Sequence, residues 1–214
     1  PKNNFNTGDW AQHDGHYYSN KAPGTILGGT IIYAGLYFIE KFILQLTPEN
    51  IGLTIFNMWF INLLLTVLPL AIAAVLILRM GLQVSESLTR SALVTCIFAW
   101  GTLAWPYSSS LWGHPSAAAA MVASLYLIRK SKYFGAGACL GIAVLSDYTS
   151  VVCLFAYFLV FILQKKWQTI LSLIKGGFVP ALLYIFYHKY CFDTYVKSAA
   201  HFSNPAFLDP SHAG

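Results

Sequence analysis

The chain has 214 residues, of which 57% are hydrophobic and 10% are charged. A soluble globular domain carries about 25% charged residues, so this chain has too few charges to cover a water-facing surface. The net charge of +5 comes from basic residues that are scattered or paired at the ends of apolar segments, which does not indicate a nucleic-acid partner. A helix crosses a bilayer with about 20 residues, so we predict an all-α, polytopic transmembrane helix bundle of roughly six or seven membrane helices, including short broken ones.

The N-terminal segment, residues 1–24, is polar and rich in turn formers and aromatic residues. Aromatic side chains suit the headgroup level of a membrane, where the ring is buried and its polar edge stays in water. The most polar and aromatic run of the chain, residues 15–24, lies immediately before the first long apolar segment. We predict that residues 1–24 form an external interfacial loop.

Residues 25–190 form the predicted transmembrane helical domain, and residues 191–214 are predicted to be an external loop or tail. The predicted apolar segments are 25–46, 51–78, 91–112, 115–128, 133–163 and 168–190. We expect a polar loop at 79–90. Pro69 and Pro180 are expected to kink their helices, because proline removes a backbone hydrogen bond.

The segment 133–163 is too long for one untilted span and carries Asp147 at its midpoint. We predict two short helices that meet at this break. An ionisable group at membrane depth indicates a functional site; the alternative, favoured by the flanking serine and threonine residues, is that Asp147 caps the second helix. Glu40 and Lys41 interrupt the first span near its end, and we expect them to be structural residues that face water or headgroups.

Clusters of basic residues usually mark cytoplasmic loops. Placing those at 129–132 and 165–166 inside puts the connection 106–114 and the C-terminal tail outside. Counting membrane crossings backward from residue 91 places the N-terminal segment on the cytoplasmic side if 25–46 crosses the membrane. That segment is external only if 25–46 is re-entrant or if the loop 79–90 lies on the opposite side. The sidedness of the first two spans therefore stays open.

The N-terminal segment also carries the densest set of reactive side chains. Within thirteen positions it holds Asp9, His13, Asp14, His16, Tyr17, Tyr18 and Lys21. An ammonium group at a membrane surface is a ready partner for a phosphate, and a carboxylate in the same segment is a candidate general base. The alternative is an ordinary wet loop with interfacial anchors. Two histidines around Gly15 lack a clear third ligand, so the sequence predicts no metal and requires no cofactor.

The sequence resembles a known enzyme family in two runs of this segment, NTGDW at residues 6–10 and DGHYYSNKAPG at residues 14–24. These runs are similar to the first external loop of the polyprenyl-phosphate-dependent glycosyltransferases of the C superfamily. Within it, the protein O-mannosyltransferases and the aminoarabinose transferase of lipid A are the most similar. Lys21-Ala22-Pro23 matches the Lys-x-Pro sequence that opens the second helix of that fold. Weaker similarities lie at residues 101–102, 106–108, 114 and 199–205.

The resemblance implies a lipid-phosphate site in the N-terminal segment. Lys21 would bind the phosphate of a polyprenyl-phosphate sugar, which is the donor substrate, and membrane lipid would surround it. The expected substrate-binding residues are His16, Tyr17, Tyr18, Lys21 and His201. His201 would reach the substrate from the C-terminal segment, where the alternative is a loop histidine without a role.

The resemblance also implies a catalytic carboxylate, because these enzymes invert the anomeric carbon with the help of one in this loop. Asp9 and Asp14 are the candidates here. The family's first helix would precede Pro1 and further sequence would follow Gly214, so we expect a chain truncated at both ends. Aromatic residues of the later connection could line a sugar or prenyl groove, or could form an interfacial belt: Trp105, Tyr107 and Trp112.

We therefore expect a membrane glycosyltransferase that moves a sugar to a protein, lipid or glycan acceptor. The expected site is the external face of a prokaryotic cytoplasmic membrane. The alternative is a non-catalytic or degenerate membrane subunit that packs through its glycine and alanine faces onto protein partners in a larger complex. A small transporter is a third interpretation, against which the absence of paired repeats and of several intramembrane charges argues.

Overall fold

The computed structural model describes residues 10–46, 50–195 and 197–203. Its helices in chain order are α1 (Pro23–Phe38), α2 (Ile51–Asn62), α3 (Leu68–Ser85), α4 (Leu88–Trp100), α5 (Ala104–Ser108), α6 (Gly113–Arg129), α7 (Tyr133–Ser146), α8 (Val151–Leu163) and α9 (Trp167–Phe192). A β-hairpin of β1 (Trp10–His13) and β2 (His16–Ser19) precedes them. Two π-helical turns, Ile39–Ile43 and Leu63–Val67, extend α1 and join α2 to α3. The all-α prediction is confirmed.

Three helices in the described part of the chain are long and apolar enough to cross a membrane, which is fewer than the six or seven predicted. They are Pro23–Ile43, Ile51–Ser85 and Trp167–Phe192. Other apolar helices, Leu88–Trp100, Tyr133–Ser146 and Tyr148–Leu163, have 10–17 residues. Each is shorter than the roughly 20 residues that an untilted span needs.

The predicted polar loop at 79–90 is wrong. Residues 51–85 form one continuous helical run, and α4 begins only three residues after α3 ends. Glu86 ends α3 in the left-handed conformation, with φ of 51°. The Ser87 side chain then accepts a hydrogen bond from the backbone N–H of Arg90 and caps α4. Two residues, Glu86 and Ser87, therefore connect α3 to α4, where the charge pattern indicated a longer loop.

Helices α1 and α2 pair antiparallel and form an arm of the molecule. Gly28 of α1 faces Leu65, which follows α2. At the other end of the pair, Asn57 Nδ2 donates a hydrogen bond of 3.3 Å to the Glu40 carboxylate. Glu40 is buried, so the expectation that it faces water or headgroups is wrong. Lys41 is exposed, and its ammonium group donates to the Tyr37 hydroxyl.

The arm meets the remaining helices at the level of Leu65. Ser116, in the first turn of α6, donates a hydrogen bond of 2.5 Å to the Leu65 carbonyl, and Asn62 Nδ2 donates to the Ser108 carbonyl at 2.9 Å. Since α3 packs along α6 from this point, the two helices run parallel. A continuous helix cannot reverse direction, so α2 extends from this level away from α3 rather than back beside it.

Helix α7 is the centre of the later bundle, between α6 and α9. Ser124 of α6 donates a hydrogen bond of 3.0 Å to the Ala136 carbonyl. Gly137 and Gly141 of α7 face α9 and allow its backbone to approach closely. The buried core between these helices is formed by Ala136, Leu140, Phe161, Ile170 and Leu173.

The N-terminal segment was predicted to be a loop, but residues 10–19 form the β-hairpin. Asp14 and Gly15 at its turn have φ of 48° and 77°, as the type I′ turn of a two-residue hairpin requires. Ala11 also forms a bridge to Ser203, so the C-terminal segment lies beside β1. Tyr18 packs against Phe192, which attaches the hairpin to the end of α9.

Candidate functional site

Several chain segments meet at one end of the bundle, which we call the site end. A Cβ built on Gly24, in the first turn of α1, would lie 2.7 Å from Ser146 Oγ. One built on Gly113, the first residue of α6, would overlap the Ser146 carbonyl. The Tyr148 hydroxyl lies 3.1 Å from His188 Nε2 of α9. The site end therefore gathers the starts of α1 and α6, the break between α7 and α8, and the end of α9.

Asp147 and His114 form a hydrogen-bonded pair at the centre of the site end. His114 Nδ1 lies 2.5 Å from Asp147 Oδ2, and Asp147 Oδ1 accepts a hydrogen bond of 3.0 Å from the Thr149 backbone N–H. The Asp147 side chain is 15% exposed, whereas that of His114 is 54% exposed. Because the carboxylate accepts from Nδ1–H, Nε2 is the ring nitrogen left to accept another proton.

The structure confirms the capping alternative for Asp147, and its role in a functional site stays a prediction. Its bond to Thr149 caps the short 3₁₀ turn Tyr148–Ser150, as the capping hypothesis expects. Its second oxygen binds the ring of His114, which is 33 residues away in the chain. Burial alone would raise the pKa of Asp147, but the hydrogen bonds from His114 and Thr149 outweigh burial and lower it.

This lowered pKa predicts that acid destabilises the protein through Asp147. A carboxyl group whose pKa is lower in the folded state stabilises the fold above its usual pKa, here 3.8, and the stabilisation is lost as pH falls through the folded value. We expect the thermal unfolding midpoint in detergent to fall more between about pH 5 and pH 2 for the wild type than for Asp147→Asn. Parallel curves for the two proteins would contradict the prediction.

Aromatic rings surround the His114 side chain. The Tyr107 ring lies edge-on at 5.6 Å between centroids, and the Trp112 ring is nearly parallel at 6.4 Å. Trp105 is exposed. Two of the three aromatic residues singled out in this connection therefore border the histidine, and the third faces outward.

An apolar cavity of about 610 Å³ opens between α7, α8 and α9. Its walls are almost entirely aliphatic and aromatic, with Gly141, Leu154 and Phe178 among them. Tyr148 and Ser198 give it a polar rim at the site end. A cavity of this shape suits an apolar chain whose polar group remains at the rim.

His188 supports this rim from within. It is fully buried, and its Nδ1 donates to the Tyr184 carbonyl at 3.0 Å. Its Nε2 is then an acceptor for the Tyr148 hydroxyl. These bonds satisfy both ring nitrogens and fix the tyrosine at the entrance of the cavity.

The predicted site residues of the N-terminal segment fall into two groups, and Asp9 lies outside the described residues. Asp14 is exposed at the hairpin turn, with a carboxylate oxygen 3.6 Å from His13 Nε2. His201 lies beside it, since residues 12–15 and 201–203 line a shallow cleft of about 440 Å³. The structure therefore brings Asp14 and His201 together.

The other group lies along β2 and the start of α1. Tyr17 is exposed and packs edge-on against Trp10, His16 is exposed, and Tyr18 faces Phe192. Lys21 is exposed between β2 and α1, where its backbone N–H donates to Ser19 Oγ at 3.3 Å.

Asp14 and Lys21 lie at opposite ends of the hairpin. A four-residue strand spans about 13 Å, and the whole of β2 lies between the turn and Lys21. Lys21 instead lies three residues before Gly24, and Gly24 contacts Ser146. The Lys21 backbone is therefore three residues from the contact with Ser146, at the opposite end of β2 from the Asp14 cleft.

The pairing of His114 with Asp147 was missed by sequence reasoning, although each residue had been noted separately. The signal was the symmetry of the α6–α7 hairpin. Both residues lie about sixteen positions from its turn at Ser131, so antiparallel helices of similar length return them to the same end.

Within residues 10–46, 50–195 and 197–203, no group of three or more histidine, cysteine, aspartate or glutamate side chains could hold a metal ion. Comparison with protein-family models, curated proteins and solved structures finds no match to this chain. The geometry of the site end is therefore the basis for assigning a function.

Proposed function

We propose that this chain is a membrane glycosyltransferase that moves a sugar from a polyprenyl-phosphate donor to a protein, lipid or glycan acceptor. One observation carries the proposal: the segment with Lys21 enters α1 against Ser146, beside both the Asp147–His114 pair and the rim of the apolar cavity. The site end thus combines a cation, a proton acceptor and a groove for an apolar chain. This combination fits a substrate that is part lipid and part sugar phosphate.

Each part of such a donor has a matching surface. The prenyl chain occupies the cavity between α7, α8 and α9, with its phosphate at the level of Tyr148. The Lys21 ammonium group binds the phosphate and stabilises the negative charge that develops as the sugar leaves. Tyr17 and Tyr18 lie on the strand that leads to Lys21, whereas His16 and Asp14 lie at its far end. Asp9, outside the described residues, is therefore the candidate from this segment that orients the acceptor.

The proposal includes the position of the chain in the membrane. The shorter apolar helices are embedded beside α3 and α9 as further membrane helices. Exposed apolar side chains on α8, such as Phe155 and Leu159, suit contact with lipid. The site end lies on the external face of a prokaryotic cytoplasmic membrane.

The direct test is turnover of a defined donor. The full chain in lipid nanodiscs is incubated with undecaprenyl-phosphate mannose and, separately, with undecaprenyl-phosphate aminoarabinose, and free undecaprenyl phosphate is measured by mass spectrometry. We expect release from one donor above the rate of empty nanodiscs. Release from neither donor, together with unchanged glycans and lipids in cells that lack the gene, would overturn the proposal.

The alternative function, a non-catalytic membrane subunit, is favoured by the α1–α2 arm. Only 11% of the most apolar window of Pro23–Ile43 is buried. Ile31, Phe42 and Trp59 are among the exposed side chains. Stable co-purification of another membrane protein, with no donor turnover, would favour this role.

A further inference from the structure

We infer that His114, held by Asp147, is the group that removes the proton from the sugar acceptor. The inference rests on the proposed glycosyl transfer and assigns its proton acceptor to the junction of α6 and α7. The segment that the family resemblance indicated is then not the source of the base.

The imidazole of His114 is held in a fixed orientation. Asp147 binds Nδ1 at 2.5 Å and is itself held by the Thr149 backbone N–H. A carboxylate that fixes one ring nitrogen as a donor leaves the other as a base and stabilises the imidazolium that forms. By contrast, the Asp14 side chain is 84% exposed at a hairpin turn. It has no comparable support in the described part of the chain.

His114 and Lys21 are both close in the chain to a glycine that contacts Ser146 or its neighbour. His114 follows Gly113, and Lys21 precedes Gly24 by three residues; both glycines contact the backbone or side chain of Ser146. The histidine and the lysine therefore reach the site end from two sides of one residue. Asp14 is separated from Lys21 by the length of β2, about 13 Å.

The His114 ring is accessible from outside the protein. The Asp147 side chain is 15% exposed, while about half of the imidazole surface is exposed. Tyr107 and Trp112 border the ring without covering it. Among the described residues, the titratable side chains in contact with the ring are Asp147, which binds Nδ1, and Tyr107, which lies edge-on.

Sugar transfer to the acceptor forms one bond and breaks another at the anomeric carbon. An acceptor hydroxyl oxygen forms a bond to the anomeric carbon while the bond from that carbon to the phosphate oxygen breaks. The hydroxyl proton passes to His114 Nε2, and the electron pair of the broken bond leaves with polyprenyl phosphate, whose charge Lys21 stabilises. The imidazolium, paired with Asp147, then releases its proton to water.

The test uses the full chain in nanodiscs with whichever of the two undecaprenyl-phosphate donors the wild type turns over. We expect His114→Ala to lower the rate by about 10²-fold or more, with partial rescue by added imidazole. Asp147→Asn should lower kcat by roughly 10²-fold with little change in KM. In the His114→Ala background it should have no further effect, because a positioning residue acts only through the histidine.

Asp193→Asn is the matched control. Asp193 also ends a helix and pairs with a basic side chain, Lys189, but it is exposed beyond α9. We expect wild-type rates from this variant. Wild-type turnover that persists in His114→Ala, or additive losses in the double variant, would overturn this inference alone. No turnover by the wild type would overturn the proposed function, and this inference with it.

Discussion

Replacing Gly176 with alanine is expected to lower the free energy of unfolding by about 3 kcal/mol, the upper range for overpacking a core. A Cβ at this position of α9 would overlap the Phe134 carbonyl and lie 2.9 Å from the Ala138 backbone nitrogen. Both obstacles are backbone atoms of α7, so no side-chain rotation relieves the overlap. The α7–α9 contact would have to open, and that contact contains the buried Leu140 and Leu173.

Gly35→Ala is the control for this substitution. Gly35 also lies inside a helix, α1, but a Cβ there meets nothing within 4 Å. Alanine favours a helix over glycine by about 1 kcal/mol, so this variant should be as stable as the wild type or slightly more stable. Unfolding in detergent is followed by circular dichroism. Equal midpoints for the two variants would contradict the close backbone contact between α7 and α9.

Replacing Lys21 with alanine is expected to lower donor turnover by about 10²–10³-fold, as loss of one group that stabilises the leaving charge typically does. The loss should appear mainly in kcat, because the negative charge on the phosphate grows as the sugar leaves. Arginine at this position should retain part of the rate, since it keeps the positive charge but not the compact geometry of the ammonium group. Turnover is measured as release of undecaprenyl phosphate in nanodiscs.

Lys41→Ala provides the comparison. Lys41 is an exposed lysine near the other end of the same helical run, where it contacts Tyr37 and Phe42 rather than the site end. Its loss changes the net charge of the protein as much as the loss of Lys21. If both variants slowed turnover equally, a general effect of charge at the membrane surface would replace the specific role of Lys21.

Much of the fold could be predicted from the hydrophobic pattern, because apolar runs without strong polar breaks form helices in a membrane. The break at Asp147 was predicted because a charged residue interrupts such a run. The continuity of residues 51–85 and the short turn at Glu86 were not predicted. A left-handed residue followed by a serine cap needs only two positions, and nearby charges concealed it.

The N-terminal hairpin was missed for a different reason. Asp14-Gly15 is a strong signal for a two-residue turn, but the flanking strands are four residues each and do not alternate clearly between apolar and polar. Their packing comes from the end of α9 and from Ser203, which are distant in sequence. Local pattern alone therefore could not show this hairpin.

In the candidate site, too, residues in one local run could be predicted, and contacts between distant parts of the chain could not. Lys21 and its neighbours form a continuous run that can be recognised locally. His114 and Asp147 meet only because α6 and α7 fold back on each other, and no short motif records that distance. Sequence reasoning singled out Lys21 but not the pair that we infer to be its partner in catalysis.

The contacts around Ser146 also restrict how this protein can evolve. Gly24 and Gly113 both meet the backbone at Leu145 and Ser146, where no side chain fits between the segments. A methyl group at Gly24 would displace the lysine-bearing segment from this backbone, and one at Gly113 would displace the histidine-bearing segment. Homologues that retain the site should therefore keep both glycines, because a changed side chain at Ser146 cannot move its carbonyl.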